Sequence, residues 1–121
     1  MEFQLVVCMV KTDFTDRIIQ AAKKAGASGS TVIAAQGTGL HEAKTFFGLD
    51  LNIQTDVIIF FLEAALADHI LDVIHQEGDF SRPGTGIAMT LPVNRAVGVD
   101  LQFEHFKRLA KHPDHLDRKP S

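Results

Sequence analysis

Two short loops carry the glycine spacing that backbone recognition of an anion requires: Gly37-Thr38-Gly39 and Pro83-Gly84-Thr85-Gly86. Glycine lets successive N–H groups turn inward and approach a ligand with no Cβ in the way. Arg82 precedes the second loop and is placed to add a cation to such a cradle. Neither loop is a P-loop, because the chain contains no Gly-Lys-Ser/Thr triplet. Neither opens a helix, so a helix dipole is not available to hold phosphate. On spacing alone, two tight turns are the simpler reading.

Other reactive side chains give weaker patterns. His69 and His75 are six apart and do not share a helix face, while His105, His112 and His115 cluster in the tail, where a surface metal site would fit. No close Cys/His pairing of zinc type occurs. Cys8, the only cysteine, lies in an apolar run and reads as a buried thiol in a reducing compartment rather than a nucleophile. Ser81 has no obvious base, and the acid pairs Asp13/Asp16 and Asp68/Asp72 fit capping and solvation. The expectation is a protein that is not an enzyme, with no catalytic residue and no metal assigned.

Length and charge narrow the class further. With 121 residues the chain makes one globular domain. Its formal charge of −3 argues against nucleic acid, where phosphate neutralisation supplies most of the affinity. All nine aromatic residues are Phe, so stacking anchors of the Tyr and Trp type are missing, as is any switch by tyrosine modification. The longest apolar run, 57–62, is far short of a membrane span, and the N-terminus lacks a leader pattern. A soluble, cytoplasmic protein without membrane insertion is expected.

These loops need elements to hold them. Residues 3–10 read as a buried strand, followed by a helix from the Asp13/Asp16 start, with Phe14, Ile18, Ala21, Ala22 and Ala25 at helical spacing and Gly26 at its end. Strands follow over 30–36 and 53–62. Leu66, Ile70 and Ile74 then mark a second helix, which Gly78 closes. The loop 79–86 leads into a strand at 87–93, with a short further strand at 96–99. The order β-α-β-β-α-β predicts an α+β, ferredoxin-like sandwich with two helices on one face of an antiparallel sheet. The run Ile58-Ile59-Phe60-Phe61-Leu62 is apolar on both faces, so the uncovered face requires a partner subunit. From Leu101 the composition changes. Phe103, Phe106, Leu109 and Ala110 suit a short C-terminal helix, giving a body over 1–100 and an added helix and frayed tail over 101–121.

Residues 26–32, Gly37-Thr38-Gly39, and the run Pro83-Gly84-Thr85-Gly86 through Leu91-Pro92-Val93 together resemble the PII (nitrogen regulatory protein P-II) family, over roughly residues 3–100. The resemblance implies a homotrimer of ferredoxin-like subunits that senses a small anionic effector, with an adenine nucleotide the first candidate, in clefts between subunits. It implies a signal-transduction role in nitrogen regulation, acting on a membrane transporter or a metabolic enzyme. Thr31 matches an adenine-contacting position, Gly37 and Gly39 the opening of the T-loop, and Gly84 and Gly86 the phosphate-cradling loop, with Thr85 in place of an Asp. The T-loop is short and without Tyr. Phe46 and Phe47 stand in it, either as core packing or as a docking knob for the partner. Ile87, Gly98 and Asp100 replace the family's phosphate-binding cations, and Leu40-His41 replaces an Arg-Gln pair. Between Thr45 and Val99 the only Lys or Arg residues are Arg82 and Arg95, which favours a ligand less charged than ATP. Two competing readings share the fold class. A CutA-type trimer would carry metal on His105, His112 and His115 or Cys8, and an acylphosphatase-like hydrolase would need an Arg cradle that no early loop supplies.

Overall fold

The computed structural model describes residues 2–35, 45–46, 49–50 and 54–99. Strand β1 (Phe3–Lys11) leads straight into helix α1 (Thr12–Lys24), and β2 (Thr31–Ala35) follows. A two-stranded ribbon of β3 (Thr45–Phe46) and β4 (Leu49–Asp50) precedes β5 (Thr55–Glu63), helix α2 (Ala64–Glu77) and β6 (Gly86–Pro92). The main sheet has the order β2-β5-β1-β6, with every neighbouring pair antiparallel. This is the ferredoxin-like α+β arrangement that the element order predicts.

The helix termini are held by identifiable bonds. Past α1, the Ala27 N–H donates to the Ala22 carbonyl and the Gly26 N–H to Lys23, the paired bonds of a Schellman motif. Gly26 takes φ +115°, which a side chain would resist. The start of α1 has no side-chain cap. It is instead held to the sheet by Thr15, whose buried hydroxyl donates to Asp56 Oδ2 at 2.6 Å across 41 residues of sequence. The Ala64 N–H at the start of α2 donates to the Glu2 carbonyl.

Side chains alternate across a strand, so the register sorts the sheet into two faces. On the helix face, Val6, Cys8 and Val10 of β1 and Ile58, Phe60 and Leu62 of β5 pack with Ile18, Ala22, Ile70 and Ile74. The opposite face presents Leu5, Val7 and Met9, Val57, Ile59 and Phe61, then Ile87, Met89 and Leu91, with Ile33 at the β2 edge. It is as apolar as the core, yet nothing in the described chain covers it. Phe3 and Phe61 stack there, with ring centroids 4.9 Å apart.

The structure corrects one element. Residues 93–99, where a further short strand is expected at 96–99, form no strand. Val93 makes a last sheet-like bond to the Phe3 carbonyl; the chain then turns away, with Gly98 at φ +87°. The C-terminal helix expected within 101–121 lies outside the described residues.

Candidate functional site

The loop between α2 and β6 is built by its own residues. Asp79 adopts φ +54° and Gly84 φ +80°, two left-handed turns that reverse the chain. Thr85 is buried, and its hydroxyl, shared between two acceptors, lies 2.9 Å from each of the Asp79 and Arg82 carbonyls. The Arg82 N–H closes a further turn onto the Asp79 carbonyl. Phe80 fastens the loop to the body, because its ring occupies the space that Cβ atoms would need at both Gly78 and Gly86. A Cβ at Gly86 would lie 2.7 Å from the Met9 carbonyl oxygen and 2.7 Å from Phe80 Cε1. Gly86 therefore has a packing reason to be glycine, whatever else approaches it. The Thr85 side chain is engaged within the loop, which leaves backbone groups rather than its hydroxyl to face a ligand.

Arg82 is the loop's cation. Its side chain is 75% exposed, with one long contact, 3.3 Å, to Asp79 Oδ2. That pairing is worth little at such exposure, so the guanidinium is free to turn to an anion. Lys11 is a second cation at this end of the sheet, one residue past Val10, which pairs with Gly86. The charge reading missed it because it precedes the loops by many residues. Register alone brings it near, and it has no ion-pair partner among the described residues.

The register also separates residues that the sequence groups together. Ala35, Thr55, Lys11 and Gly86 share one end of the sheet, whereas Thr31 pairs with Ile59 in its middle. Thr31 is exposed on the edge strand β2, and β6 is the opposite edge. From strand dimensions, Thr31 and Gly86 lie about 10 Å apart along the strands and about 14 Å apart across them. Within one subunit they cannot touch the same small ligand. Gly37, Thr38, Gly39 and Phe47 lie outside the described residues, and Phe46 pairs with Leu49 in the ribbon.

Beside the loop, Leu71, Asp72, His75, Phe80, Gly86, Ile87 and Ala88 line a cleft of about 350 Å3. The structure adds a neighbour that the sequence did not supply for Ser81: its Oγ lies 3.5 Å from His75 Nε2. No carboxylate among the described residues orients that ring, as an activated serine would need.

Cys8 is fully buried on the helix face. Loss of solvation pushes its thiol up to about 12, against a smaller lowering by a backbone bond from Ile58. It is thus held as the neutral thiol, unsuited to nucleophilic or metal-binding work. Among the described residues no group of His, Cys, Asp or Glu could hold a metal, and no helix is long and apolar enough to cross a membrane. The tail histidines 105, 112 and 115 lie outside those residues.

The four-stranded sheet and its two helices define a ferredoxin-like subunit, with the glycine loop between α2 and β6. The sequence matches the family Nitrogen regulatory protein P-II over residues 3–100, and the chain belongs to that family. Among solved structures it is similar to a PII-like signalling protein from Thermus thermophilus, with 24% identity and a TM-score of 0.57, covering 77% of this chain and 87% of that one. It is also similar to Arabidopsis thaliana PII bound to citrate, with 21% identity and a TM-score of 0.60, covering 76% of this chain and 78% of that one. A search of curated proteins finds no match.

Proposed function

We propose that this chain is a cytoplasmic PII-type regulator that senses a small anion in clefts between the subunits of a homotrimer. One observation carries the reading: Thr31 and the Arg82–Gly86 loop lie far apart in one subunit, at opposite edges of a sheet with an apolar face that no described residue covers. Packing such faces together would bury them and set the β2 edge of one copy beside the loop of the next. In the assembled site Arg82 and the backbone of Gly84, Thr85 and Gly86 hold the anion, Gly37, Thr38 and Gly39 form a wall, and Thr31 meets the ligand from the neighbouring copy. Few cations stand here, so a nucleoside monophosphate, a cyclic nucleotide or a small carboxylate suits the site better than ATP. Citrate on the Arabidopsis relative accords with a small anion. Residues 1–100 form the sensing body. Ligand state then sets docking, through Phe46 and Phe47, on a partner such as a membrane transporter or a nitrogen-metabolism enzyme.

Thermal-shift and calorimetric titration with ATP, ADP, AMP, cyclic AMP and citrate tests the site. One of these should raise the melting temperature, and Arg82→Ala should weaken its binding by about tenfold, the effect of losing a charge-assisted contact. If none binds, or Arg82→Ala is silent, the anion reading fails. The CutA-type alternative predicts stoichiometric metal in untagged protein, which elemental analysis would detect.

A further inference from the structure

Gly78 and Gly86 flank the loop between α2 and β6, and one ring lies against both. Gly78 ends α2 at φ −84° and ψ −4°, a helical conformation open to any residue, so the turn itself gives it no reason to be glycine. The reason is Phe80. Outside its own helix, the three heavy atoms nearest a Cβ at Gly78 are Cε1, Cδ1 and Cζ of that ring. Cε1 also lies 2.7 Å from a Cβ at Gly86. Gly86 differs in having the Met9 carbonyl oxygen and Val10 Cγ1 against it as well, at 2.7 and 2.8 Å. Phe80 packs on the core, and its N–H donates to the His75 carbonyl. The rest of the loop hangs from this point, since the Arg82 N–H and the Thr85 hydroxyl both donate to the carbonyl of Asp79, the residue before Phe80.

We propose that Phe80 is the positioning residue of the anion cradle. Seated on both stems of the loop, its ring sets the backbone course of Gly84, Thr85 and Gly86, and through that course the affinity for an anion. The binding half of this inference rests on the anion reading of the loop; the geometric half does not. A cradle of backbone groups binds well only when it is already shaped, because ordering it at the moment of binding costs affinity. Nothing polar on Phe80 can meet an anion, so its effect is carried by the loop alone. The elements on either side keep their own attachments. Ile70 and Ile74 hold α2 in the core, and β6 stays in register with β1 from Gly86 to Pro92. Loss of the ring therefore loosens the loop and spares the fold.

Amide exchange of the full-length protein reports the loop without any ligand. Phe80→Ala should speed exchange at Arg82, whose N–H is bonded inside the loop, by about tenfold and leave the β1 amides as they are. Phe80→Leu, which keeps apolar bulk over the two glycines, should restore most of the protection. Gly78→Ala makes the sign depend on the ring. Alanine suits a helical φ and ψ better than glycine, so the change should raise the melting temperature of Phe80→Ala, yet lower that of the wild-type protein, where the ring is in the way. Gly86→Ala should lower both, because the Met9 carbonyl remains. Calorimetry with inorganic phosphate, which has no apolar part for a ring to touch, then reads the cradle. Phe80→Ala should weaken phosphate by about tenfold and Phe80→Leu by less than about threefold. Arg82 exchange unmoved by Phe80→Ala, a Gly78→Ala effect of one sign in both backgrounds, or phosphate binding indifferent to Phe80→Ala overturns the proposal. Wild-type protein that binds no phosphate overturns the anion reading and the binding half together, while a reversed sign at Gly78 still upholds the ring's hold on the loop.

Discussion

The two faces of the main sheet are alike in composition and unlike in circumstance. Val6, Cys8 and Val10 are fully buried under the helices, while Leu5, Val7 and Met9, one residue out of step on the same strand, are only half-buried. On β5, Ile58, Phe60 and Leu62 stand in the same relation to Val57, Ile59 and Phe61. A strand that needs only one dry face alternates with polar residues; β1 and β5 do not. The helix face accounts for the subunit's own stability, and the second apolar set is the one that the proposed assembly would bury. The proposed ligand site depends on that assembly, since one copy alone does not bring Thr31 to the loop before β6.

Truncation on either face separates the two roles most sharply. Phe60→Ala should cost about 3–5 kcal/mol in urea unfolding, as a large cavity in a packed core does. Ile33→Asp, at a site 49% exposed in the single chain, should leave the secondary structure in place and dissociate the assembly. Equal destabilisation by both changes would erase the distinction between the faces. Gly86→Ala comes next, because the new Cβ must displace the Phe80 ring and meets the Met9 carbonyl. About 1–3 kcal/mol should be lost on denaturant unfolding. A silent substitution would remove the packing reason for that glycine.

The smallest effect is pH-dependent. Burial raises the Cys8 thiol from 9.0 to about 12, so the unfolded chain loses this proton at a lower pH than the folded one. The stabilisation is complete below pH 9 and drains away as pH rises toward 12. At one pH unit above the unfolded value the loss is about 1.4 kcal/mol. Cys8→Val should abolish that alkaline slope in urea titrations compared between neutral and alkaline pH. A slope unchanged by Cys8→Val would show that the thiol is not its source.

The sequence discloses much of this frame because its signals are local. The apolar run over 57–62 and the stripe Leu66, Ile70, Ile74 each name their element, and Gly26 names a helix end that the Schellman bonds then close. The family resemblance likewise rests on contiguous motifs. What escapes is set by contacts between distant residues. Phe80 has no periodic neighbour to mark it as an anchor, yet it fixes both Gly78 and Gly86. Thr85 looks like a ligand-facing hydroxyl until two loop carbonyls claim it. Residues 96–99 carry two valines and read as a strand, but with Gly98 in a left-handed turn they leave the sheet instead. The wide gap between Thr31 and Gly86 depends on strand order, which no single segment encodes.

The central claim is that the uncovered sheet face assembles copies of this chain and thereby builds the site. Sedimentation equilibrium of the full-length protein measures this directly. A species of three times the 13.3 kDa subunit mass, reduced to one by Ile33→Asp, is the predicted result. A protein that sediments as a single 13.3 kDa chain at all concentrations would contradict it.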